Sequence, residues 1–223
     1  MYAFIHGPLI WISFLVFILG ILYQVICFFC LTGRKEMVFV PLPSAPDKPP
    51  QKKWPERIRD SLVRLREMTL WKTDPAMTAA TFMFHIFLFL IPPFLLGHTI
   101  LLDEAWGINL WGFPESFADG LTWIPILCGA FFLSRRLFVR KVQAVTTAYD
   151  YVALFITIAP FLTGTFAYHQ YFDYETTIFL HILSGEVMLI TVPFTKLGHM
   201  LFFFLYRFFI GSEYSFGRGT RDW

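Results

Sequence analysis

Charge is scarce in these 223 residues: Asp, Glu, Lys and Arg make up 15% of the chain, against 56% hydrophobic and 20% aromatic residues. A soluble domain of this size would expose too much apolar surface, so a soluble globular fold is excluded. Cysteine is sparser still. Cys27, Cys30 and Cys128 all fall inside apolar runs, which excludes a disulfide framework. The CxxC at Cys27–Cys30 is followed by Leu31 rather than histidine, so it reads as two membrane-buried thiols and not as a c-type haem attachment. No glycine-rich phosphate loop, catalytic triad or nucleic-acid patch stands out, and no nucleic-acid partner is expected. The first apolar run has no basic segment before it and no small-residue cleavage pattern after it, so it is expected to remain as a membrane helix.

What the chain has in quantity is long apolar runs. Five of them, near 9–31, 77–101, 120–138, 147–168 and 177–210, predict an all-α integral membrane protein with five transmembrane helices. The whole of 1–223 reads as one membrane domain, with a cytoplasmic linker and amphipathic segment at 32–76 and a cytoplasmic tail at 211–223. The last run exceeds the roughly 20 residues that cross a bilayer, so it is expected to tilt or to extend beyond the lipid.

Orientation follows from the basic residues. All eighteen Lys and Arg lie in or beside 34–72, 135–141 and the segment from Lys196 onward. Segments 1–8, 103–119 and 169–176 hold none and carry Asp103, Glu104, Glu115, Asp119, Asp173 and Glu175. The positive-inside rule therefore puts the N-terminus outside and the C-terminus in the cytoplasm, and an odd number of spans agrees. Within the inner linker, PLPSAPDKPP reads as an extended proline-rich stretch. The following WPERIRDSLVRLREMTLW spaces Ile58, Leu62, Leu65 and Met68 as a helix against several arginines. It reads as a helix on the anionic inner leaflet or as a docking helix for a cytoplasmic subunit.

Histidine carries the functional signal. Of His6, His85, His98, His169, His181 and His199, four fall in two spans: His85 and His98 in the second, His181 and His199 in the fifth. A lone histidine in a membrane helix is usually a packing or hydrogen-bonding group, but polar groups in lipid are expensive and four in two pairs suggest a task. On one ideal helix, His181 and His199 are five turns apart and share a face, about 27 Å along the axis. They mark an outer and an inner level. The second span runs the other way, so His98 pairs with His181 outside and His85 with His199 inside. One imidazole from each of two helices at each level suits two bis-histidine b haems stacked across the bundle. Zinc would require three or four convergent ligands, and a proton relay leaves the two-level pairing unexplained. His85 and His98 are about 140° apart around an ideal helix. Pro92-Pro93 between them must kink or rewind it for both rings to face inward.

The stretch from His181 through Pro193–Leu197 to His199 resembles the last helix of the respiratory nitrate reductase gamma subunit, a five-helix dihaem cytochrome b. Gly97-His98 and Glu104 to Trp106 are similar to that family's second helix and following loop. The same family includes the cytochrome b subunits of sulfate-reducer transmembrane redox complexes. The resemblance implies a multi-pass protein of the inner membrane holding two haem b through His85, His98, His181 and His199. It implies electron transfer between menaquinol or a periplasmic multihaem cytochrome c and a cytoplasmic iron–sulfur subunit, heterodisulfide reductase-like or nitrate reductase beta-like. Two departures stand out: the second-helix histidine spacing is three residues longer, and the outer side has no counterpart of the family's quinol-linked lysine.

Secondary candidates surround the two levels. Glu186 and His169 are candidate quinol or proton groups, with a neutralised buried carboxyl and an interfacial residue as the plainer readings; His6 stands beside His169 in this respect. Lys196, Arg135, Arg136 and Arg140 border the inner level and suit haem propionates, or are ordinary positive-inside residues. The rival from another class is a haem-free membrane anchor or transporter subunit whose histidines serve packing or proton transfer.

Overall fold

The computed structural model describes residues 4–31, 53–56, 58–59, 74–199, 202–203 and 205. Every regular element among them is helical. A π-helical turn at Ile5–Leu9 leads into α1 (Ile10–Leu31). Then follow α2 (Pro75–Phe94), α3 (Leu96–Trp106), α4 (Glu115–Phe138), the short α5 (Arg140–Gln143), α6 (Ala148–His169) and α7 (Tyr174–Thr191). Among the described residues, five helices are long and apolar enough to cross a membrane: Gly7–Cys30, Pro75–Phe94, Glu115–Phe138, Ala148–His169 and Tyr174–Phe194. Leu127, Phe138 and Phe155 turn outward at 63%, 79% and 69% exposure, as lipid-facing side chains do. Most of the amphipathic stretch after Trp54, and the tail from 211, lie outside the described residues.

The helix starts are set by local chemistry. Asp74 accepts the Met77 amide at 3.0 Å, with Pro75 in the first turn, and so caps α2. Thr147 and Asp150 form a reciprocal capping box at the head of α6. Asp173 accepts the Thr176 amide at 2.9 Å; the Thr176 hydroxyl and amide hold that carboxyl below its usual range.

The chain divides into two compact units, residues 54–185 and residues 3–53 with 186–223. In the first, α4 packs against α2 and α6 around Ile91, Ile126 and Phe161. Gly129 lets α4 and α6 approach closely: a Cβ there would collide with the Ile158 Cδ1. In the second unit, Gly20 of α1 leaves room for the Pro193 ring, whose Cβ would be 2.7 Å from an added methyl. Gln24 Nε2 donates to the Pro193 carbonyl at 3.0 Å.

Two expectations about element bounds change. The second apolar run is two helices, broken at Leu95, whose ψ of 134° is extended. Pro92 and Pro93, where a kink was expected, stay inside α2, and the break falls two residues beyond Pro93. The expectation of one helix over 177–210 is corrected: α7 ends at Thr191 and gives way to 3-10 turns at Val192–Phe194 and Lys196–Gly198, with Thr195 extended between them. Pro193 lacks the N–H that would continue an α-helix. His181 and His199 therefore do not ride one ideal helix, and the shared face and 27 Å rise do not apply.

Candidate functional site: a histidine pair held by proline carbonyls

His98 lies at the third position of α3, just beyond the break, and His181 lies in the middle of α7. Their rings face each other with centroids 5.8 Å apart and planes 13° from parallel. Of the two expected pairs, the structure brings together the outer one, His98 with His181. His85 and His199 fall in different compact units and are described separately.

The orientation of each ring has a backbone cause. In a continuous helix the Pro92 carbonyl would accept from the amide four residues on. The extended Leu95 prevents this, and the Nδ1–H of His98 takes that oxygen at 2.7 Å. The freed Phe94 carbonyl accepts the Phe113 amide at 2.9 Å. In lipid such groups must find partners within the protein. His181 Nδ1 donates to the Pro160 carbonyl, inside α6, at 3.0 Å, with the Thr163 Oγ1 at 3.3 Å beside it. Thr163 also lies 3.2 Å from the Ser184 Oγ. Gly164 completes the cradle: a Cβ there would meet His181 Cε1 at 3.0 Å and Nδ1 at 3.2 Å.

A carbonyl can only accept, so these bonds fix the protons on Nδ1 and leave the Nε2 lone pairs as ligands. Neither Nε2 of the outer pair has a hydrogen-bond partner among the described residues. His85 Nδ1 likewise lies 2.8 Å from the Thr81 carbonyl, and His199 Nδ1 lies 2.8 Å from the Lys196 carbonyl. A metal–imidazole bond is about 2 Å, so two rings on opposite sides of one ion have centroids about 6 Å apart. The centroids of the outer pair, 5.8 Å apart, stand close to that spacing. Among the described residues, no group of three or more His, Cys, Asp and Glu could hold a metal ion. A pair suffices only for an ion with equatorial ligands of its own, as in haem.

The other candidates fall as follows. His169 lies at the end of α6, its Nε2 2.9 Å from Asp119 Oδ1 and its ring stacked on Tyr171. Glu186 is 4% exposed, and neither carboxyl oxygen has a hydrogen-bond partner among the described residues. Arg135 is engaged by Asp74 at 2.6 Å and lies over the Phe131 ring. Arg136 keeps a buried Nε with no partner among the described residues. Lys196 and Arg140 are exposed, and the His6 side chain lies outside the described residues. Sequence reasoning missed Pro160, Thr163, Gly164 and Asp119. A mid-span proline followed by Thr-Gly was the available signal for the first three.

Fold and site together define a polytopic helical membrane protein with a closely apposed histidine pair. The chain belongs to one family with a protein of Nitratidesulfovibrio vulgaris (strain Hildenborough), described only as a protein. The two are 36% identical over 226 residues, covering 98% of this chain and 96% of the relative. No protein-family model and no solved structure matches the chain.

Proposed function

We propose that this chain is the dihaem cytochrome b subunit of a respiratory redox complex in the inner membrane. It has its N-terminus outside and its C-terminus in the cytoplasm, and carries electrons across the membrane. The donor is menaquinol or a periplasmic multihaem cytochrome c; the acceptor is a cytoplasmic iron–sulfur subunit. The observation that carries the reading is the common setting of His85, His98, His181 and His199. Each gives its Nδ1–H to a backbone carbonyl, and the outer two face each other at 5.8 Å. Such a carbonyl fixes ring orientation and raises ligand basicity.

Two haem b, when bound, would supply the one-electron chemistry. The chain's residues would do the rest. His98 and His181 would hold the outer group, His85 and His199 would supply ligands for the inner one, and Gly164 would leave room for the His181 ring. Arg136 and Lys196 suit propionates, and the apolar helices keep water from the path.

A pyridine haemochrome assay on the detergent-purified chain, with a dithionite-reduced minus oxidised spectrum, tests this. About two haem b per chain are expected, falling to about one in His98→Ala or His181→Ala. No haem in a folded, haem-replete sample would leave the anchor or transporter reading instead.

A further inference from the structure

Asp119 and His169 come from opposite ends of the sequence's long helices and meet at one end of α4 and α6. The His169 Nε2–H donates to the carboxylate at 2.9 Å, and the two side chains are 29% and 25% exposed. This is the reverse of the Nδ1–carbonyl setting of His85, His98, His181 and His199. A carboxylate on Nε2 leaves the Nδ1 lone pair as a base and stabilises the imidazolium that forms when it takes a proton, as carboxylate–histidine dyads do. Among the described residues, Asp119, Tyr168 and Tyr171 are the titratable groups in contact with the ring. Tyr171 stacks on it at 5.2 Å and Tyr168 meets it edge-on at 5.1 Å. Tyr168, Tyr171 and Phe172 turn outward at 53%, 58% and 64% exposure, an aromatic margin suited to a flat ring. His169 is five residues beyond Gly164, the residue against His181, a rise of about 7.5 Å along α6.

We infer that His169, oriented by Asp119, accepts the proton from a membrane quinol oxidised at the outer face. The inference rests on the cytochrome reading and selects the quinol among its donors. One O–H bond of the quinol would break, its proton passing to His169 Nδ1 and one electron to the oxidised haem that His98 and His181 would hold. The imidazolium would then release its proton to the outer water. Once the first electron had moved on to the acceptor, a second such step would give the quinone, so two electrons would enter the protein and two protons would leave on the outer side. The dyad stands in for the basic side chain that the outer segments lack.

The test uses the purified holoprotein, with menadiol as reductant and 2-heptyl-4-hydroxyquinoline N-oxide as a fluorescent quinol mimic. His169→Gln is expected to slow haem reduction by menadiol about 100-fold and to weaken binding of the mimic several-fold. Haem content and the dithionite spectrum stay at wild-type values. Asp119→Asn falls between the two, and added imidazole restores part of the rate in His169→Gly. Wild-type menadiol kinetics in His169→Gln, with both haems present, would overturn the inference, as would a dihaem wild-type protein that menadiol does not reduce. A protein without haem overturns the cytochrome reading itself, and the haem count tells that failure from the other two.

Discussion

At the scale of single residues, Gly164 does what no larger side chain could do. Its missing methyl is the space against which the His181 imidazole lies, with the ring's nearest carbon 3.0 Å from where a Cβ would be. Contacts that short require something to move. The ring is tied to Pro160 and α6 is packed on α4, so the movement falls on the imidazole. Gly164→Val is expected to displace His181 and reduce the haem b count from about two per chain to about one. The remaining α-band and an unchanged far-ultraviolet dichroism would separate site loss from unfolding; two retained haems would refute the assignment. Gly129 offers a contrast. A Cβ there would strike Ile158, so Gly129→Ala should loosen the α4–α6 contact without selecting one haem. Which of these glycines served a site was not legible from sequence, because both are simply small residues in apolar runs. The histidines were legible because four imidazoles in two apolar runs are expensive to keep in lipid without a task.

At the scale of elements, the break between α2 and α3 sets His98. Each proline in a helix interior costs about 3 kcal/mol relative to alanine, so Pro92 and Pro93 together tip the chain toward interruption at Leu95. Pro92→Ala with Pro93→Ala removes that bias. A helix continuing through Leu95 would recapture the Pro92 carbonyl for an amide and turn His98 away from His181. The outer haem should then be lost or its midpoint potential markedly altered, as read by redox titration, while the inner haem titrates as before. An unchanged outer potential would mean that the break is held by other contacts. The sequence showed that Pro92-Pro93 must disturb the helix, because proline's missing donor is local chemistry. It could not show that the disturbance hands a carbonyl to the histidine, because that depends on the backbone angle at Leu95. The fifth span was misread for a related reason. Hydropathy runs on smoothly through Val192–Gly198, but Pro193 and the extended Thr195 interrupt the hydrogen-bond ladder beneath it. Asp119 was missed because its partner, His169, lies fifty residues away and no periodicity links them.

At the scale of the whole molecule, the distribution of charge decides which way the chain faces. Basic residues occur in segments 34–72 and 135–141 and from Lys196 onward, whereas 1–8, 103–119 and 169–176 hold none and the latter two carry acids. Green fluorescent protein fused after Trp223 should therefore fluoresce in a bacterial host, whereas alkaline phosphatase fused there should be inactive. The converse pattern would invert the orientation and place the Asp119–His169 dyad on the cytoplasmic side. Five membrane-length helices were legible from hydropathy alone, since lipid admits few alternatives to a continuous helix.

The proline carbonyls have one more consequence. A ring pinned at Nδ1 by the backbone itself cannot swing when the charge on its Nε2 side changes. In the proposed cytochrome, oxidised and reduced states would thus share nearly one geometry around the outer pair, and the reorganisation energy for electron transfer would be small. Separation and driving force, rather than any change of shape, would then set how quickly an electron crosses. The same path would serve in either direction, leaving the complex around it to decide which way the current runs.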